Sequence, residues 1–162
     1  ATDFVDFNNI MANMDANKAL KVTHEDVDDL LTLQYGNPAI LPILQLLYPN
    51  LNYKTNTFHI DHIYPKSKFT QKNSSLNSIF LNDKNYLFNL QLLEGAENIS
   101  KKDLDPNIWV NEYFDNDVKK INEYKKTNYI DLQCTLQWDD FKTFKEKRNE
   151  ELRKALKEAL DR

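Results

Sequence analysis

His59, Asp61 and His62 stand together in the stretch TFHIDHIYPKS, in a chain with three histidines in all. Imidazole exchanges protons near neutral pH and, like carboxylate, binds divalent metals, so these residues suit a general base, a metal site or both. The stretch alternates and is rich in Thr, Phe, Ile and Tyr, which predicts a short β-strand over Thr57 to Tyr64, ended by Pro65. On a regular strand His59 and Asp61 share one face and His62 takes the other. Asp61 and His62 then serve one site only where the chain bends. A hydrogen-bonded structural pair is the bland alternative for Asp61 and His62, as a half-buried strand position is for His59.

The segments around this stretch must position it. Ser67 to Asn77, rich in Ser, Asn, Gln and Lys, reads as a loop, and Tyr86 to Leu93 (YLFNLQLL) as a second strand. From Gly95 a short helix carries Asn98 and Lys101, one turn apart on the same face. Upstream, Thr23 and Asp26 form a capping-box pattern before Val27, Leu30 and Leu31, and Gly36, Asn37 and Pro38 break the chain. A helix over Ala39 to Tyr48 is apolar nearly all round, predicts burial and stops at Pro49. Residues from Ile108 to Tyr124 read as one helix. Asp139 or Asp140 caps a long helix through Leu160, with Phe141, Phe144, Leu152, Ala155, Leu156 and Ala159 facing inward and Glu150 set to pair with Lys154. No function attaches to His24.

A length of 162 residues suits one domain, and hydrophobic and charged fractions of 41% and 28% with two glycines describe a globular chain. The longest apolar run, AILPILQLLYP, is too short to cross a bilayer, so no membrane partner is expected. Cys134 is the single cysteine, which excludes an internal disulfide or a zinc site on paired cysteines and fits a reducing, cytoplasmic setting. Ala1 in place of methionine suggests a fragment or a processed start. The net charge of −4 argues against nucleic acid, but its distribution does not. Residues 1–53 carry two lysines against seven acids and residues 103–162 twelve basic residues against fourteen acids, whereas residues 54–102 carry seven lysines against four acids. The basic segment is the one holding His59 and His62. Its lysines, Lys66, Lys68 and Lys102 among them, either contact phosphate or merely solvate their loops.

The HIDHIYP stretch followed by NLQLLEGAENISK resembles the HNH endonuclease family, and within it the C-terminal nuclease half of GmrSD-like modification-dependent restriction proteins. The resemblance implies an α+β, mostly helical fold in which a ββα-metal (HNH) core, about residues 57–102, sits in a helical scaffold of residues 1–53 and 103–162. It implies that residues 1–162 form a single nuclease domain, a piece of a longer protein with an N-terminal partner domain. By the same resemblance His62 is the general base, Asp61 a metal ligand and Asn98 the second ligand. Asn89 pins the loop between the strands, Lys101 reaches a phosphate oxygen, and His59 is an additional candidate ligand. Asn98 stands where many members have histidine, which shifts the ligand set toward oxygen and toward one Mg²⁺, with Mn²⁺ possible. The implied activity is metal-dependent nicking of DNA to 5′-phosphate and 3′-hydroxyl ends in restriction or phage defence. A catalytically silent nucleic-acid-binding HNH module is the alternative, and a purely structural interaction domain a third reading.

Overall fold

A computed structural model describes residues 24–161. Thr23, the expected first member of the capping box, lies outside the described residues. The architecture is α+β and mostly helical, with one small antiparallel sheet. Helix α1 spans His24–Leu31 and α2 Ile40–Leu47, the latter tolerating Pro42 because the first turn of a helix has no internal use for that N–H. Strand β1 (Phe58–His62) and strand β2 (Leu90–Glu94) pair in a regular ladder running from Phe58 against Glu94 to His62 against Leu90. Helix α3 (Gly95–Lys101) leaves β2 with no intervening residue. Helices α4 (Pro106–Tyr113), α5 (Val118–Thr127) and α6 (Phe141–Leu160) complete the chain.

Three expectations change. The second strand begins later than Tyr86, because Leu87–Asn89 close a 3₁₀ turn before the ladder starts at Leu90. The first strand is shorter than Thr57 to Tyr64: beyond His62 the chain leaves the sheet, although the Ile63 N–H still donates to the Asn89 carbonyl at 2.8 Å. The expected helix from Ile108 to Tyr124 is two helices, split where Asp115 and Asn116 take positive φ of 51° and 57°. Short polar side chains tolerate that region, and Asp117 then caps α5 by accepting from the Lys119 and Lys120 N–H groups. The long helix α6 runs as expected, but a 3₁₀ turn at Trp138–Asp140 precedes it and the Asp140 carboxylate accepts from the Thr135 N–H instead of capping.

Helix α6 organises the core. Phe144, Leu152 and Leu156 on one stripe are fully buried against Leu30 of α1 and Ile43 and Leu44 of α2. At its N-terminal end, Phe141 and Phe144 pack edge-on or tilted around Tyr64, whose ring also meets Trp138. Tyr64 follows β1 by two residues, so this aromatic cluster anchors the point where the chain leaves the sheet. Among the described residues, no helix is long and apolar enough to cross a membrane.

Candidate active site

The ladder through His62 is unbulged, so Asp61 and His62 point to opposite sides of β1, and each meets its own surroundings. On the Asp61 side, Gln91 lies directly across the ladder and its Nε2 donates to Asp61 Oδ2 at 2.9 Å. Tyr124 of α5 donates its hydroxyl to Gln91 Oε1 at 2.6 Å. The ammonium of Lys101, with no exposed area, lies 3.2 Å from Asp61 Oδ2 and donates to the His62 carbonyl at 2.8 Å. Burial pulls the Lys101 pKa below the ordinary lysine value, and Asp61 opposes the shift. A polar chain thus runs from α5 through β2 and β1 to α3. Lys101, expected at a phosphate oxygen, faces inward here and serves as the counter-ion of Asp61.

On the other side, His62 Nε2 lies 2.9 Å from Asn85 Oδ1. An amide oxygen only accepts, so Nε2 carries the hydrogen in this contact. Nδ1 makes no hydrogen bond among the described residues. The Tyr35 ring stands 4.9 Å from the imidazole, and the Lys66 ammonium lies 6.0 Å above that ring. Burial lowers the His62 pKa below the ordinary histidine value, outweighing Asn85 and Asp61, which raise it. The ring is therefore neutral at pH 7, the form that accepts a proton.

Asn89 is fully buried, and its carboxamide bonds to main chain. Its Oδ1 accepts from the Tyr64 N–H at 2.9 Å, and its Nδ2 donates to the carbonyls of Tyr64 at 3.0 Å and Lys84 at 2.9 Å. Three bonds to main chain, all buried, fix the exit of β1 against the entry to β2. Arg148 of α6 supports the same turn, since its guanidinium donates to the Leu87 and Phe88 carbonyls.

Asn98 is half-buried on α3, and its carboxamide makes no hydrogen bond among the described residues. His59 is exposed on β1 beside the start of α3, its Nε2 lying 3.9 Å from where a Cβ on Gly95 would stand. Lys66 and Lys102 are exposed, whereas Lys68 is bound to the Asp105 carboxylate at 2.8 Å. No group of three or more His, Cys, Asp or Glu that could hold a metal occurs among the described residues. Asp61 Oδ1 and the Asn98 carboxamide are hard oxygen donors that make no hydrogen bond among the described residues. So sparse a set suits a largely hydrated cation such as Mg²⁺ better than a metal that needs a full protein cage.

Sequence reading missed Asn85, Tyr35, Gln91, Tyr124 and Arg148. Gln91 left a signal, being a polar residue inside the apolar run LQLL, where a buried partner is required. Tyr35 left none, because only the antiparallel bridge of Gln34 to Tyr86 carries it to His62.

Order and geometry together describe a site built on a strand pair and the helix that follows it. The sequence profile of the C-terminal domain of GmrSD restriction endonucleases matches residues 39–156, and the chain belongs to that family. A restriction-endonuclease-like nuclease role follows at the level of the family. A comparison with curated proteins gives no match.

Proposed function

We propose that the chain is a metal-dependent DNA endonuclease domain with an HNH (ββα-metal) site, in which His62 is the general base. The observation that carries this reading is the setting of His62: Nε2 is held by Asn85, Nδ1 makes no hydrogen bond among the described residues, and burial lowers the ring's pKa. The whole of residues 1–162 then acts as one nuclease domain of a longer restriction protein, working with an N-terminal partner domain.

His62 takes the proton from the attacking water, which raises the nucleophilicity of that water at the phosphorus. Asn89 keeps the strand exit rigid, so that the imidazole meets the phosphodiester in one orientation. Asp61 and Asn98 are the residues that would hold the cation, with His59 a further candidate at the edge; His62 is the last residue of β1, so base and cation would meet at the strand end, where the chain turns out of the sheet. A divalent ion held there would supply charge neutralisation in the transition state. Lys101 orients Asp61, and its bond to the His62 carbonyl fixes the backbone that carries the base. Lys66 and Lys102 face solvent and are free to contact the DNA backbone, whereas Lys68 must first release Asp105.

The test is incubation of supercoiled plasmid with the purified chain in Mg²⁺, Mn²⁺ or EDTA. The expected result is nicked circles in metal only, with nicks that DNA ligase reseals because they carry 5′-phosphate and 3′-hydroxyl ends. Salt-sensitive DNA binding without cleavage in any metal would favour the silent binding module.

A further inference from the structure

Asn85 belongs to no motif in the sequence, yet it makes the one side-chain hydrogen bond of His62 among the described residues. A short pairing with the segment after α1 holds Asn85 in place. Its carbonyl accepts from the Tyr35 N–H at 2.7 Å, and the Leu87 N–H donates to the Leu33 carbonyl at 3.1 Å, the two bonds together forming the bridge of Gln34 with Tyr86. The segment that supplies the Tyr35 ring to one side of His62 therefore also fixes the residue that grips its Nε2. Asn89, four residues on, bonds the Lys84 carbonyl, so the turn bearing Asn85 is tied to the exit of β1 as well.

Resting on the nuclease reading above, we infer that Asn85 is the positioning residue for the general base: by accepting the Nε2 hydrogen it leaves the ring lone pair on Nδ1, and Nδ1 is the atom that takes the proton. In the reaction a water oxygen bonds to phosphorus, its proton passes to Nδ1, and the bond from phosphorus to the 3′ oxygen breaks. The leaving oxygen keeps the electron pair and is protonated by solvent water. Asn85 gains and loses nothing; its oxygen accepts a stronger hydrogen bond once the ring is an imidazolium, which favours the transition state over the ground state. The relation is that of an outer partner that fixes a histidine through the nitrogen not used in chemistry.

The test has two readouts on the full chain. In proton NMR, the His62 Nε2–H, assigned by its disappearance in His62→Ala, is expected as a resonance protected from solvent exchange. It is expected to broaden away in Asn85→Ala and to return in Asn85→Asp, which restores an acceptor. In plasmid nicking, Asn85→Ala is expected to lower kcat by about tenfold to hundredfold with KM unchanged, and Asn85→Asp to recover most of the loss. An Asn85→Ala protein that is folded and nicks at the wild-type rate would overturn the inference. A faster one would also overturn it, because Asn85 would then be blocking Nε2 as the true base. If the wild-type chain cuts nothing, the nuclease reading fails on its own, and the protected Nε2–H still decides whether Asn85 holds the ring.

Discussion

The two sides of strand β1 treat their polar residues in opposite ways. Behind it, Asp61, Gln91, Lys101 and Tyr124 bond one another in a closed, buried chain that links four elements. In front of it, His62 has one side-chain bond among the described residues, beside Tyr35, which is 45% exposed. A satisfied buried network rigidifies, because every member loses its partner if any one moves. A buried group with one nitrogen left unbonded beside an exposed ring is available for chemistry. One five-residue strand thus places the bonded network on one side and His62 on the other, and the period of two is what keeps them apart.

That contrast predicts that substitutions behind the strand cost stability and those in front cost activity. The largest effect is expected for Lys101→Met, which strands the buried Asp61 carboxylate. Breaking such a pair by removing one partner costs about 3–5 kcal/mol, measured as a fall in the urea midpoint. Tyr124→Phe removes one buried bond to Gln91 and should cost about 1–2 kcal/mol in the same measurement. Equal stability in both variants would contradict a closed network.

Lys102 sharpens the comparison in the other direction. It ends α3 at φ 46° and ψ −129°, a backbone conformation suited to glycine, while its side chain points to solvent. Lys102→Gly should raise stability by about 1 kcal/mol while weakening DNA binding, as expected of a strained residue retained for contact. A gain in stability with unchanged DNA affinity in a salt titration would make Lys102 a mere surface residue. The smallest stability effect belongs to Tyr35→Ala, which should stay within about 0.5 kcal/mol and yet slow nicking, because the ring meets His62 from a largely open position.

Elements with strong periodicity were legible in the sequence. The apolar stripe of α6 and the all-round apolar α2 follow from spacing alone, and Gly95 starts α3 where the composition changes. Boundaries set by turns were not, since Leu87–Asn89 has the same apolar character as the strand it precedes, and only the Asn89 side chain bonding to main chain decides that it curls. The residues of the motif were found through their resemblance to a family, and their placement adds what no motif holds. Asn85 and Tyr35 reach His62 through long-range pairing of Gln34 with Tyr86, which no local pattern announces. The inward turn of Lys101 was equally hidden, because a lysine on a polar helix ordinarily faces water.

The most direct measurement is the rate of plasmid nicking in Mg²⁺ by His62→Ala beside the wild-type chain, with urea midpoints taken on both samples. The account predicts that cleavage disappears while the midpoint shifts by about 1 kcal/mol or less, since only the bond to Asn85 and part of the packing against Tyr35 are lost. Cleavage that persists in a folded His62→Ala protein would contradict it and place the reacting group elsewhere.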